Sequence, residues 1–509
     1  MLFNSFEFIA FWIAVALVFL TLLNGRPQAQ KALLVAASLF FYAWWRFDYL
    51  FLLLTSIGVN FSIGQMLERR HHQEQSRTGL LALGVAANLL TIGYFKYFGL
   101  LVDTGNTLLG STWTVSAIAL PLAISFFTFQ QIAYLVDASK GEAKAGSLLD
   151  YMVFVTFFPQ LIAGPIVHHK EMMPQFAALG AVKGRIATNL AVGVTFFAMG
   201  LVKKTAGADK VAIYSDSLFN AVAAGATPTM QEAWFGTVAY SLQIYFDFSG
   251  YSDMAVGIAR VFGIILPLNF FSPYQATSII DFWRRWHITL SRFLRDYLYI
   301  PLGGGRVVRV RRYANLVITM VLGGLWHGAA WTFVVWGGLH GLYLVINHAW
   351  RWVKSRLGWR QEGGVIARCG AALLTFVAVS IAWVFFRAES FPQAWVVLTA
   401  MLDPAYLVLT IDAIPYVGSE VFAEADISRI PKSAHVEALA LLLGIVWFLP
   451  NTNQVMRNFE PVLDPTSVTQ GILPWYRRWG LALFEWRPDW LRAGFVLALI
   501  TLPDNLLRA

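Results

Sequence analysis

The most constraining feature of this sequence is a recurring pattern, apolar runs of roughly bilayer length with most lysines and arginines gathered in the short stretches between them. Such runs occupy residues 8–23, 80–101, 186–202, 316–346 (long enough for two passes), 365–386 and 438–449. A helix needs roughly 20 apolar residues to cross the hydrocarbon of a bilayer. The runs are continuous rather than alternating, which favours helices over a barrel. Charged residues make up 13% of the 509, against roughly 25% in an ordinary soluble domain. That is too little polar surface to clothe a water-exposed globule of this length. About a dozen spanning or half-spanning helices fit by hydropathy. The fold class expected is therefore an all-α polytopic membrane protein. It forms a single integral membrane domain over residues 1–509, with a catalytic core at about 90–390 and further C-terminal helices at 391–509.

The first run lacks a basic region before it and a small-residue cleavage site after it, so it reads as a retained helix. The net charge of +9 raises the question of nucleic acid, but its distribution argues against that partner. The basic residues sit between apolar runs: Arg69, Arg70 and Arg77; Lys203 and Lys204; Arg306, Arg309, Arg311 and Arg312; Arg351, Lys354, Arg356 and Arg360. This is the pattern of cytoplasmic loops. The single cysteine, Cys369, excludes an internal disulfide and any cysteine-rich metal site, and reads as a small packing residue.

Two stretches break the regular alternation of passes. Residues 152–167 contain Pro159, Gly164 and Pro165, and proline removes a backbone donor and kinks a helix. A broken or re-entrant segment is expected there, surrounded by protein or a water-filled cavity. Residues 395–409, between the external-looking 386–392 and the acidic 412–426, read as interfacial or re-entrant.

Polar and ionisable groups inside a bilayer are costly, so their concentration marks function. They gather in residues 240–348. The cluster opens with YSLQIYFDFSGYSDMAVG, which carries Gln243, Asp247, Ser249, Tyr251, Ser252 and Asp253. It continues through residues 267–274 and DFWRRWHITLSRFLRDYLYIPLGGGR to LGGLWHGAAWTFVVWGGLHG. Residues 281–299 have helical logic. Asp281 and Arg285 are four apart, as are Arg292 and Asp296, so each pair can meet on one face, and His287 shares a face with Ser291 in the same way. Trp283, Trp286 and their aromatic neighbours suit an interfacial helix. The arginines, Arg284 and Arg285 among them, admit two readings, solvated charges of an anchor helix or forks for the phosphates of a nucleotide-like thioester donor. The sequence leaves both open.

His327 stands apart, in the middle of the run 315–347, which holds no Asp, Glu, Lys or Arg. Counted from Tyr313 at 1.5 Å per residue, it lies about 20 Å along the helix, deep in the membrane. Gly323, Gly324 and Gly328 around it leave room for a substrate or for kinked backbone. Burial opposes charging of an imidazole, so His327 is expected to be a neutral base able to take a proton from an attacking hydroxyl. The ordinary alternative is a histidine that bonds a carbonyl and packs. His287 reads as nearer the cytoplasmic face, giving two histidines at different depths of one passage. His340 and His348 are weaker candidates. His71, His72, His168, His169 and His435 fall in loop-like stretches. A haem site on His327 and His340 is disfavoured, because thirteen positions turn them about 140° apart on a helix.

On these residues the chain resembles the membrane-bound O-acyltransferases. It resembles in particular the bacterial branch that includes the membrane subunit of alginate O-acetyltransferase. FWRRWHITLSRFLRDYLYIPLGG and LGGLWHG match its two signature blocks, with YFDFSGYSDMAVG and FFPQLIAGPI as companions. The match runs from FYAWWRFDYL through WVFFRAES, roughly three quarters of the chain. The resemblance implies a ring of about 11–13 spanning or re-entrant helices around a central tunnel. It implies catalytic roles for His327 and His287, and a substrate-binding site including Trp326, Asp247, Tyr251, Trp283, Arg284, Arg285 and Ser291. It further implies acetyl-CoA as acyl-donor substrate, no bound cofactor or metal, and a polysaccharide acceptor such as alginate. A periplasmic acetyltransferase partner, membrane lipids and a location in the bacterial inner membrane complete the expectation. The alternatives are D-alanyl or other acyl transfer from an acyl carrier protein, and a transporter without chemistry.

Overall fold

A computed structural model describes the whole chain except residues 115, 117, 145, 163, 181–184, 359–363, 405–431, 464–485 and 487–509. Among the described residues there is no strand, only one isolated bridge between Pro267 and Leu463, and the secondary structure is helical. The acidic stretch 412–426 and residues 405–409 lie outside the described residues.

The chain divides into two compact units. The first comprises Met1–Ala198, Tyr251–Leu268 and Asn458–Asp464, and the second includes Met199–Gly250 and Asn269–Arg457. The first unit holds α1 (Phe6–Leu17), α2 (Pro27–Ala43), α3 (Asp48–His72), α4 (Thr78–Ile92), α5 (Phe98–Leu109), α6 (Ile124–Lys140), α7 (Leu148–Thr156), α8 (Phe158–Leu161), α9 (His169–Ala177) and most of α10 (Ile186–Val202). Several polar groups buried here are paired, which offsets their desolvation. Asn60 on α3 and Asn88 on α4 exchange side-chain hydrogen bonds, the shorter 2.6 Å. Lys31 meets Asp150 at 2.6 Å. The break expected in residues 152–167 is present. Phe157 leaves helical geometry with ψ 105°, and the Phe158 N–H donates to Ser38 Oγ at 3.1 Å. Phe157 and Phe158 are fully buried, so protein surrounds the irregular backbone.

The second unit holds α11 (Asp209–Ala223), the first part of α12 (Met230–Val261), α13 (Ile279–Trp283), α14 (Ile288–Leu294), α15 (Arg309–His327), α16 (Trp331–Arg356), α17 (Val365–Arg387), α18 (Phe391–Leu402), α19 (Lys432–Phe448) and α20 (Thr452–Val455). Residues 316–346 form two helices, as their length required. α15 and α16 pack unusually closely, and glycines make the approach possible. A Cβ on Gly324 would collide with the Phe333 carbonyl oxygen, and one on Gly337 with that of Met320. Residues 395–402 fall on α18, whose first turn is capped by Ser390.

Among the described residues, four helical stretches are long and apolar enough to cross a membrane: Asp48–His72, Thr78–Leu109, Ile186–Ala223 and Val365–Arg387. Their exposed faces carry large apolar side chains such as Leu90, Leu109, Ile366 and Leu374. A soluble protein rarely exposes so much apolar surface, so the chain is an all-α polytopic membrane protein.

Several local expectations are corrected. Lys203 and Lys204 do not lie in a loop. A π-helical turn, Lys203–Ala208, continues α10 into α11. Lys204 can sit there because Asp209 at 2.7 Å and Asp247 at 2.6 Å neutralise it. His168, His169 and His435 are buried; His168 is the extended N-cap of α9, whereas His169 and His435 lie on helices. His169 packs between Tyr134 and Phe154, and His435 Nδ1 meets Tyr214 Oη at 2.8 Å. His71 and His72 form the last turn of α3. Cys369 is exposed on α17 rather than packed.

Candidate active site

The stretch 281–299 is not one helix. It breaks after α13, and His287 takes φ 43° and ψ 54° before α14 begins. A non-glycine residue held there costs on the order of 1–3 kcal/mol and persists only where surroundings enforce it. The enforcement is visible in the backbone. Phe271 N–H donates to the Arg285 carbonyl, and Ile288 N–H to the Asn269 carbonyl, both at 2.9 Å. The segment beginning at Asn269 thus takes hydrogen bonds that a continuous helix would have used internally.

Asn269 also settles the state of the His287 ring. Its Oδ1 accepts from Thr289 Oγ1 at 2.9 Å and from the Thr289 N–H at 3.4 Å, and it meets His287 Nδ1 at 3.1 Å. An amide oxygen only accepts, so Nδ1 carries the proton. His287 Nε2 is then a lone-pair nitrogen, buried and without a hydrogen-bond partner, on a fully buried side chain. A buried polar atom left in that state calls for a functional account.

The His327 ring lies 6.1 Å from that of His287 between centroids. This corrects the expectation that the two mark separate ends of a passage. The strained turn at His287 carries its imidazole to the end of α15. His327 is the final residue of that helix, not a mid-helix position, and the backbone turns extended at Gly328 with φ −153° and ψ 148°. His327 is half-buried, between Trp326 at 4.9 Å, Trp336 at 5.2 Å and Phe386 at 5.2 Å. The glycines around it do not line a cavity. Leu294 fills the space beside Gly323, and Phe333 fills the space beside Gly324 and Gly328.

Of the other residues singled out in the sequence, Trp326 is buried with its ring 5.9 Å from His287. Trp283 is buried, and its indole N–H donates to His340 Nδ1 at 3.3 Å. Arg285 is buried and pairs with Asp281 at 2.9 Å, the i,i+4 pair expected, while Arg284 is exposed. Asp296 is held by its neighbour Arg295 at 2.7 Å. The Ser291 N–H donates to the His287 carbonyl at 3.0 Å, and its hydroxyl to the Trp286 carbonyl at 3.4 Å. Asp247 is engaged by Lys204. Tyr251 belongs to the first unit, where its ring packs 5.6 Å from Phe3.

Sequence reasoning missed Asn269, Trp336 and the engagement of His340. Asn269 had a signal, a lone amide in the apolar PLNFF stretch. His340 was separated from His327 by a helical-wheel argument that fails because the helix ends at His327. Trp336 bridges them instead, 5.2 Å from His327 and 4.9 Å from His340. Among the described residues no three His, Cys, Asp or Glu side chains are grouped to hold a metal.

Comparison with known proteins shows the family of the chain. Residues 103–384 match the family MBOAT, membrane-bound O-acyltransferase. The chain is 41% identical to a peptidoglycan O-acetyltransferase of Helicobacter pylori, over 79% of this chain and 80% of that protein. It is also 41% identical to a probable alginate O-acetylase of Azotobacter vinelandii, over 74% and 73%. A teichoic acid D-alanyltransferase of Streptococcus thermophilus is 28% identical, over 51% and 68%. The paired histidines thus lie in an acyl-transferring enzyme, and the chain belongs to the membrane-bound O-acyltransferase family.

Proposed function

We propose that the protein transfers an acetyl group from acetyl-CoA, on the cytoplasmic side of the bacterial inner membrane, for O-acetylation of an extracytoplasmic polysaccharide such as alginate. The reaction is transesterification of a thioester. A hydroxyl oxygen attacks the thioester carbonyl, the C–S bond breaks, and the hydroxyl proton ends on the CoA sulfur. His327 serves as the base that takes the proton and returns it to the leaving thiolate. His287 acts beside it, its bare Nε2 set by the Nδ1–H bond to Asn269.

The observation that carries this reading is the 6.1 Å pairing of the two imidazoles among buried aromatic side chains. The relatives named O-acetyltransferase and O-acetylase support acetyl as the group moved. Alginate and peptidoglycan both appear in those names, so the shared chemistry is a sugar hydroxyl. The final transfer outside the membrane falls to a periplasmic acetyltransferase partner. D-alanyl or other acyl transfer from an acyl carrier protein is the second reading, favoured by the D-alanyltransferase relative.

The test is ester-linked acetate on the surface polysaccharides of a deletion strain carrying either the wild-type gene or His327→Ala. The variant is expected to insert normally and to lose acetylation by about 10²–10⁴-fold. Wild-type acetate in that strain would overturn the assignment. Membranes that release free CoA from acetyl-CoA support the donor; release only with an aminoacylated carrier protein selects the second reading.

A further inference from the structure

His340 has no part in the reaction outlined above, yet it is fully buried, bonds through Nδ1, and leaves Nε2 without a partner among the described residues. That bond defines its state. The Trp283 indole N–H can only donate, so His340 Nδ1 accepts and the ring proton resides on Nε2. Its ring lies nearly parallel to Phe282, 6.0 Å away with planes 10° apart, and edge-on to Trp283 at 5.1 Å. On its own helix it packs 4.9 Å from Trp336.

The placement of the two bonded residues is informative. Trp283 is the last residue of α13, immediately before the strained turn that carries His287. His340 lies on α16, which the Gly324 and Gly337 contacts lock against α15, the helix that ends in His327. The Trp283–His340 bond therefore joins the two pieces of backbone that present the catalytic imidazoles. Trp336 extends the join, its ring 5.9 Å from Trp283 and 5.2 Å from His327.

We infer that His340 is a positioning residue, which accepts the Trp283 indole proton and so holds the His287 turn in register with the His327 hairpin. Among uncharged side chains, asparagine places an acceptor, Oδ1, close to where His Nδ1 stands, though with less bulk. Glutamine reaches instead towards the Nε2 position. The two amides thus separate a role through Trp283 from a role through the other nitrogen.

The inference rests on the acyl-transfer reading, and the experiment keeps the two apart. Membranes carrying the full-length protein together with its periplasmic partner are assayed for acetyl-CoA-dependent release of CoA, alongside membranes carrying His327→Ala. His340→Phe retains the stack and is expected to lower kcat about 10- to 100-fold, the scale of a misplacement near 1 Å, with KM for acetyl-CoA little changed. Trp283→Phe should do the same, and the double variant should lose no more than either alone, because one shared bond is removed. His340→Asn should recover most of the loss, and His340→Gln should not.

An inactive His340→Phe beside a fully active Trp283→Phe would overturn the inference and assign the effect to Nε2. So would additive losses in the double variant, or full activity in both single variants. Activity persisting in His327→Ala would instead sink the acyl-transfer reading itself.

Discussion

Asn269 Oδ1 and His287 Nδ1 lie 3.1 Å apart, and this contact decides which nitrogen of the histidine is left bare. The same oxygen accepts a hydrogen bond from the Thr289 hydroxyl, so one amide organises both the ring and the start of α14. Because the bond is made by a residue eighteen positions earlier, the tautomer of His287 is set by a segment outside its own helix.

Replacing Asn269 by alanine strips the acceptor from three donors. A buried donor left unsatisfied costs about 1–3 kcal/mol, and the His287 ring becomes free to change tautomer. Asn269→Ala is expected to lower kcat by at least about 10-fold, with a drop in thermal stability in detergent. Unchanged turnover would show that the His287 tautomer is irrelevant to catalysis.

The close packing of α15 on α16 predicts a sharp contrast between neighbouring glycines. Gly337→Ala forces a methyl onto the Met320 carbonyl oxygen, whereas at Gly338 the nearest atom is Val321 Cγ2 at 3.9 Å. Overpacking of this kind costs typically about 1–3 kcal/mol. Gly337→Ala should unfold at lower temperature or fail to accumulate in membranes, and Gly338→Ala should match the wild type. Equal behaviour of the two would contradict the packing described.

Lys204 lies between two carboxylates, so removal of the cation and removal of one anion are unequal changes. Lys204→Met leaves Asp209 and Asp247 facing each other without a counter-charge. Asp247→Asn leaves Lys204 its bond to Asp209. The groups are partly exposed, which weakens each pair, and a cost of about 1 kcal/mol is expected for the first variant against a few tenths for the second. Thermal unfolding in detergent distinguishes them.

Arg284 and Arg285 are adjacent but should report different functions. Arg285 is buried against Asp281, and Arg284 is exposed beside the site. If Arg284 holds a donor phosphate, Arg284→Ala raises KM for acetyl-CoA and leaves kcat unchanged, the signature of lost uniform binding. Arg285→Ala should reduce stability first. A KM unaffected by Arg284→Ala returns that residue to an anchoring role.

The class of the protein was open to inspection because it depends on local properties. Length and apolarity of a run decide whether it can cross a bilayer, and the prolines and glycine near residue 160 announce a break wherever they fold. The Asp281–Arg285 pair was legible for the same reason, since four residues on a helix are neighbours whatever surrounds them. The helical reading of residues 281–299 failed at His287, where Asn269 and Phe271 take over the backbone bonding. Gly324 and Gly328 also read differently in isolation. A glycine leaves space only until a neighbour fills it, and Phe333 does so.

What the sequence by itself determined is therefore the membrane-embedded helical architecture, the motif blocks of the family and the identity of His327 and His287 as the residues to watch. Bilayer length, helical period and residue chemistry are all carried within a short stretch of chain. Only the tertiary structure decided that these histidines are neighbours, which nitrogen of His287 is bare, and that His340 sits behind them on Trp283. Each of those facts depends on the meeting of segments distant in sequence, where one hydrogen bond or a close helix contact overrides local preference.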